Sequence, residues 1–96
     1  MSTYRLEINE DFVASKIADY KIKISDLINQ EDIQRLEIDF ANVEIIDSIG
    51  IGTLVSSNAQ IRKKNGEIVL VNLSNEIFEI FETMNLVSFF TIVKKK

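Results

Sequence analysis

The sequence contains no cysteine, no histidine and no proline, and only three glycines among its 96 residues. Without cysteine the chain can form no disulfide, no thiolate nucleophile and no zinc–sulfur site, so we expect a cytoplasmic location. Without histidine it lacks the commonest general base and the commonest transition-metal ligand, which excludes serine–histidine–acid hydrolysis within the chain. We therefore predict a protein with no catalytic residue, no metal site and no cofactor.

Long apolar runs and an excess of basic charge are also absent. No stretch approaches the roughly 18 apolar residues of a membrane span, and the charged start has no apolar core of an export signal. The formal net charge of −4 disfavours a broad contact with nucleic acid. The basic clusters at residues 62–64 and 94–96 suit a helix end and a solvated tail. We predict no nucleic-acid partner and no membrane insertion.

The residues that are present indicate one globular domain spanning residues 1–96. Hydrophobic residues make up 46% and charged residues 27% of the chain, unlike the composition of a disordered segment.

Alternating or continuous apolar patterns predict strands at residues 4–8, 35–40, 68–73 and 89–93. Apolar residues spaced by three and four predict helices. The first runs from Asp11 to Asn29, with Asn9 or Asp11 as its cap. The second carries a stripe of Leu54, Val55 and Ala59 and ends before Asn65 and Gly66. The third is capped by Ser74 or Asn75 and has Ile77, Ile80, Phe81 and Met84 on one face.

This order of elements predicts an α/β fold. Strands that alternate with helices favour an open sheet with right-handed crossovers. We expect a mixed, mostly parallel sheet of about four strands, flanked by three or more helices. The continuous strand at residues 68–73 is predicted to lie at the sheet centre, covered on both faces.

The most informative segment is Asp47-Ser48-Ile49-Gly50-Ile51-Gly52, which comes directly before the second helix. A helix start has unpaired N–H groups and positive dipole character, so it accommodates a side-chain oxygen or a phosphate. Two interpretations of Ser48 follow: a regulatory phosphate acceptor, or an N-cap serine with Asp47 beside it. The glycines suit a close backbone approach, and we expect Ile49 to point outward more than Ile51. Val55 stands where a dinucleotide-binding loop needs a small residue, and no phosphate-binding loop with lysine occurs.

These residues resemble the central motif of STAS domains of the anti-sigma-factor-antagonist family, in which an apolar segment runs into D-S-x-G-[LI]-G and a helix. The resemblance extends through residues 65–71 and 77–86. It places Ser48 on the family's phosphorylated serine, Asp47 on the preceding acid, and Gly50 and Gly52 on its two glycines. The family usually opens with a strand hairpin, whereas this chain has a single short strand before Asn9. Ile49 stands where serine or threonine is frequent.

The resemblance implies a bacterial regulator of transcription rather than an enzyme. Its unphosphorylated form would bind an anti-sigma factor that is also a serine kinase. Phosphorylation of Ser48 would end binding, and a PP2C-type phosphatase would restore it. The partner surface implied is residues 47–52: Asp47, Ser48, Ile49, Gly50, Ile51 and Gly52.

Two alternatives remain open at this point. A STAS domain can also be an interaction subunit of another assembly, such as a lipid transporter or a stress-signalling complex. A receiver-like phosphoaspartate domain would gather Glu10, Asp11 and Asp47 around Mg²⁺. Against it, the chain is short, and its only lysines near the last strand are at the chain end.

Overall fold

The computed structural model describes residues 2–95, so both ends of the predicted domain, and Lys96 of the second basic cluster, lie outside it. The elements follow in the order β1 (Ser2–Glu7), α1 (Ala18–Ile28), β2 (Ile33–Asp39), α2 (Ser48–Arg62), β3 (Glu67–Leu73), α3 (Asn75–Thr83) and β4 (Thr91–Lys94). A 3-10 turn at Val87–Phe89 precedes β4. Within residues 2–95, the predicted α/β class and the count of about four strands are confirmed.

The four strands form one sheet in the order β1-β2-β3-β4. All three neighbouring pairs are parallel, so the sheet is not mixed as predicted. In strands that follow chain order, right-handed crossovers bring every connecting helix to the same face of the sheet. β2 and β3 are the interior strands, and the sheet position predicted for residues 68–73 is confirmed.

The hydrophobic core lies between that face and the three helices. Leu36 and Ile38 of β2 and Leu70 of β3 belong to one buried cluster together with residues of α1, α2 and α3. The opposite face carries Arg5, Arg35 and Asp39 and their ion pairs. The prediction that β3 is covered on both faces therefore holds only in part. On the second face Val69 is buried, but Val71 is only half-buried.

Helix α1 begins seven positions later than predicted, at Ala18, and neither Asn9 nor Asp11 caps it. Asp11 Oδ1 instead accepts hydrogen bonds from the N–H groups of Glu44 and Ile45, at 3.2 and 3.1 Å. Phe12 forms an isolated parallel bridge with Ile46. A segment that pairs in an extended conformation cannot also be helical, so the helix starts only after this contact.

Helix α2 turns a different side to the core than predicted. Val55 is 41% exposed and Ala59 is also exposed, whereas Ser57 and Asn58 are buried. Ser57 Oγ donates to the carbonyl of Thr53, and Asn58 Nδ2 donates to that of Phe89 at 3.0 Å. The buried Asn58 Oδ1 has no hydrogen-bond partner among residues 2–95. The predicted stripe is therefore corrected at Val55 and Ala59.

The C-terminal elements follow the predicted pattern with small differences. Ser74 is the cap of α3, because its Oγ accepts from the N–H of Ile77 at 3.2 Å. Met84 is exposed at the end of α3 and does not join the buried face. Phe89 lies in the 3-10 turn rather than in β4. No helix in the described part of the chain is long and apolar enough to cross a membrane.

Candidate functional site

The N-terminus of α2 is capped by Asp47. This residue has an extended backbone, and its Oδ1 accepts a hydrogen bond from the N–H of Gly50 at 2.9 Å. A carboxylate at this position satisfies one of the free N–H groups of the first turn and complements the helix dipole. Of the two candidate caps in the sequence, the structure therefore uses the acid and not the serine.

The second oxygen of the same carboxylate binds a different segment. Asp47 Oδ2 accepts from the N–H of Ala14 at 2.9 Å, in the chain between β1 and α1. Hydrogen bonds from Ala14 and Gly50 hold the pKa of Asp47 below its ordinary value. Asp47 is thus charged at neutral pH and links the start of α2 to the loop before α1.

Gly50 lies at a close approach between this loop and α2. A Cβ atom at this position would be 2.2 Å from the backbone oxygen of Phe12 and 2.9 Å from Ile46 Cγ1. The side chain of any other residue would therefore force the two segments apart. At Gly52 an added Cβ would have no neighbour within 4 Å, so this glycine leaves open space on the surface.

Ser48 is the first residue of α2, and it is exposed. Within residues 2–95 its hydroxyl makes no hydrogen bond, because Asp47 supplies the cap. The residue sits on the rim of a groove between α1 and α2. The groove is lined by Lys21, Ser25, Ser48, Ile49, Gly52 and Ser56, among other residues. Ser48 is therefore accessible from solvent.

The neighbours of Ser48 divide into exposed and buried positions. Ile49 is 49% exposed, while Ile51 is only 6% exposed and joins the core, as the outward orientation predicted for Ile49 requires. Gly50 is buried as well. Of the partner surface predicted from the sequence, Ser48, Ile49 and Gly52 are exposed and Asp47 is half-buried, whereas Gly50 and Ile51 are buried beneath them.

The carboxylates that a receiver-like domain would use are occupied by the backbone. Asp11 and Asp47 accept hydrogen bonds from four N–H groups between them, those of Glu44, Ile45, Ala14 and Gly50. No group of three or more acidic residues arranged to hold a metal ion occurs within residues 2–95. The geometry offers no support for phosphate transfer to Asp47.

The sequence did not reveal two parts of this site. The N–H of Ala14 and the carbonyl of Phe12 are backbone groups, which carry no residue-specific signal. Lys21 reaches the groove from α1, whose register depends on where that helix begins. Only the three-dimensional arrangement of the loop and the two helices brings these groups to the start of α2.

Comparison with known proteins defines the class to which this site belongs. The family model of the STAS domain matches residues 2–96. The chain therefore belongs to the STAS domain family, and the resemblance stated above is confirmed.

One curated relative is the anti-sigma-B factor antagonist of Listeria monocytogenes. It is 32% identical over 79 residues, which cover 78% of this chain and 69% of the relative. The protein of the same name from Listeria innocua matches with the same figures.

Solved structures share the fold at lower identity. A candidate anti-sigma factor antagonist from Thermotoga maritima has a TM-score of 0.87 at 20% identity, with 96% of this chain and 79% of that chain covered. SpoIIAA in its unphosphorylated form has a TM-score of 0.74 at 15% identity, with coverage of 100% and 84%. The phosphorylated form of Bacillus SpoIIAA has a TM-score of 0.68 at 20% identity, with coverage of 97% and 82%.

Proposed function

We propose that this protein is an anti-sigma factor antagonist that is switched by phosphorylation of Ser48. Unmodified, it binds an anti-sigma factor that is also a serine kinase; phosphorylation ends the binding, and a PP2C-type phosphatase restores it. The observation that carries the proposal is the exposed Ser48 hydroxyl, left without a hydrogen bond in the described residues because Asp47 caps the helix. The names of the Listeria relatives support the same function.

A phosphate on Ser48 would leave the fold intact. It adds about 1.5–2 negative charges at the first position of α2, where the helix dipole is favourable to an anion. Ser48 is exposed, and its side chain makes no hydrogen bond within residues 2–95 that the modification would break. In the same turn, Gly50 is buried against Phe12 and the capping hydrogen bond of Asp47 is part-buried. The switch therefore acts on the surface and not on the core.

The surface around Ser48 is suited to binding before modification and unsuited after it. Ile49 is half-exposed beside the hydroxyl, and Gly52 has no side chain to keep a partner at a distance. Once phosphorylated, the interface would have to desolvate a doubly charged group next to the Asp47 carboxylate. A loss of about 100-fold in affinity corresponds to only about 2.7 kcal/mol. An unpaired charge in an interface reaches this magnitude.

The same proposal sets the location and the chemical role. Control of a sigma factor takes place where transcription does, so the protein acts in the cytoplasm. It works by binding and receives a phosphate, and it carries out no reaction of its own. We expect no nucleic-acid partner. Lys64, in one of the two basic clusters, uses its Nζ to donate to the carbonyls of Ile28 and Gln30 within the chain.

The direct test is phosphorylation by a serine kinase encoded beside this protein. The protein is incubated with that kinase and ATP, and the modified residue is mapped by mass spectrometry. We expect one acid-stable phosphate, on Ser48. Ser48→Ala should accept none, while Ser56→Ala, in the same groove, should be modified like the wild type. Calorimetry should show binding of the unmodified protein and a loss of about 100-fold after phosphorylation.

Two results would contradict the proposal. Phosphorylated protein that binds the kinase as tightly as unmodified protein would exclude the switch. A stable complex with a transporter ATPase, together with no modification of Ser48, would favour the alternative role as a subunit of another assembly.

A further inference from the structure

The first strand of the sheet has one unpaired edge. β1 pairs with β2 on one side, and none of residues 2–95 pairs with its other side. The N–H groups of Ser2 and Ile8 donate to the carbonyls of Asp32 and Asp39, on the β2 side. Because N–H direction alternates along a strand, the backbone groups of the odd-numbered residues between them point to the open edge.

Those odd-numbered residues are Thr3, Arg5 and Glu7, and all three are exposed. Arg5 and Glu7 carry opposite charges two positions apart. The Arg5 side chain is 49% exposed even though it binds Asp39 at 2.7 Å. Glu7 has no ion pair or side-chain hydrogen bond within residues 2–95. The open edge therefore presents one positive and one negative side chain, and both can form a further ion pair.

We propose that β1 is the interface of a homodimer, in which it pairs antiparallel with β1 of a second copy about a two-fold axis at Leu6. In this register Arg5 of each copy lies opposite Glu7 of the other, and opposite charges in directly facing positions attract. Pairing centred on Arg5 or on Glu7 would place like charges face to face. The charge pattern thus selects one register.

The backbone geometry agrees with the same register. In an antiparallel pair, facing residues alternate between those that exchange two hydrogen bonds and those that exchange none. Arg5 and Glu7 have their backbone groups on the open edge, so they form the hydrogen-bonded pairs. Leu6 forms the pair without hydrogen bonds at the axis. Its side chain is half-buried on the core face, where the two leucines would meet.

The intrachain contacts of Arg5 are compatible with this pairing. A guanidinium has five N–H donors, so Arg5 can keep its contacts with Asp39 and Glu37 and also bind Glu7 of the second copy. Charged edge strands often serve to prevent association. Here Arg5 and Glu7 carry opposite charges. Registers centred on either residue are repulsive, and the register centred on Leu6 is attractive. Helix α2, which begins at Ser48, connects the interior strands β2 and β3, whereas the proposed axis lies on the edge strand β1.

Sedimentation velocity over a range of protein concentrations tests the proposal. We expect a reversible dimer whose dissociation constant rises about tenfold or more in Glu7→Lys, because two attractive pairs become repulsive. Glu82→Lys makes the same charge change on the exposed surface of α3 and should leave the dimer unchanged. Glu7 is exposed and makes no ion pair or side-chain hydrogen bond within residues 2–95, so the variant should fold like the wild type.

The absence of cysteine allows a second test without background. In Leu6→Cys the two Cα atoms would lie about 4.5 Å apart across the axis, within the range for a disulfide. In Thr3→Cys they would be about 20 Å apart, since each residue adds about 3.4 Å on either side. Oxidation should cross-link the first variant and not the second.

Three results would overturn the proposal: a monomer up to about 1 mM, a dimer that Glu7→Lys does not weaken, or equal cross-linking of both cysteine variants. Sedimentation of Glu7→Lys decides the question if Leu6→Cys does not fold. None of these measurements depends on phosphorylation of Ser48.

Discussion

Replacement of Gly50 by alanine should destabilise the protein, whereas the same change at Gly52 should stabilise it. Both glycines lie in the first turns of α2, two positions apart. At Gly50 the added methyl group would be 2.2 Å from the Phe12 carbonyl oxygen, far inside van der Waals contact. That oxygen also accepts from the N–H of Asp47 at 3.4 Å, so it cannot move without loosening the cap.

The magnitude follows from two opposing effects. Overpacking a tight site costs about 1–3 kcal/mol, and a clash with backbone belongs at the upper end. Alanine is better than glycine in a helix by about 1 kcal/mol. The net effect for Gly50→Ala is a free energy of unfolding lowered by about 2 kcal/mol. For Gly52→Ala only the helix preference remains, which raises that free energy by about 0.5–1 kcal/mol.

Thermal and urea unfolding followed by circular dichroism measure both variants. For a domain of this size 1 kcal/mol corresponds to about 4–8 °C, so Gly50→Ala should lower the Tm by about 8–16 °C and Gly52→Ala should raise it by about 2–8 °C. An unchanged urea m value would assign the effect to native-state stability.

The comparison between the two glycines is decisive. If Gly50→Ala were as stable as the wild type, the close approach of the Phe12 loop to α2 would not constrain this position, and the argument would be wrong. Gly52→Ala also probes the proposed partner surface. A weaker complex with the kinase despite higher stability would indicate that a partner contacts this position directly.

Two further predictions separate surface from core and test the buried carboxylate. Ile49→Ala should weaken kinase binding at an unchanged Tm, while Ile51→Ala should lower the unfolding free energy by about 2–5 kcal/mol, because only Ile51 is buried. Burial alone would raise the pKa of Asp39, but hydrogen bonds from Asn72 and the Ala41 N–H, with the charge of Arg5, outweigh it and leave the pKa below its ordinary value. A carboxyl with a lowered folded-state pKa stabilises the fold above its unfolded-state pKa of about 3.9, and that stability is lost as the pH falls toward the folded-state value. Urea unfolding between about pH 2 and 6 should therefore show a shallower acid limb in Asp39→Asn than in the wild type; identical limbs would refute a role for this carboxylate.

The sequence pattern correctly predicted elements that depend only on neighbouring residues, such as β2 and the start of α3. The alternation of Leu36, Ile38 and Phe40 predicts a strand because every second side chain turns to the same face. Ser74 predicts the start of α3 because its oxygen reaches an N–H only three residues ahead. These signals do not depend on the rest of the fold.

The sequence pattern was wrong for the start of α1 and for the apolar stripe of α2, where contacts with residues distant in the chain decide the structure. The helical spacing before Ala18 is overridden because Asp11 and Phe12 bind the segment at residues 44–46 instead. The apolar residues Val55 and Ala59 are exposed because Asn58, which hydrogen-bonds Phe89, occupies the inner side of α2.

The sequence by itself determined that an acid and a hydroxyl stand together at the start of a helix in an α/β protein. It left open which of the two caps that helix, because either side chain can reach the same N–H groups. The tertiary structure decided this by placing Ala14, 33 residues away in the chain, against the second oxygen of Asp47. With both of its oxygens bound, Asp47 is fixed as the cap and the Ser48 hydroxyl faces solvent. A hydrogen bond to a distant backbone N–H leaves no trace in residue type or spacing, so only the folded chain reveals it.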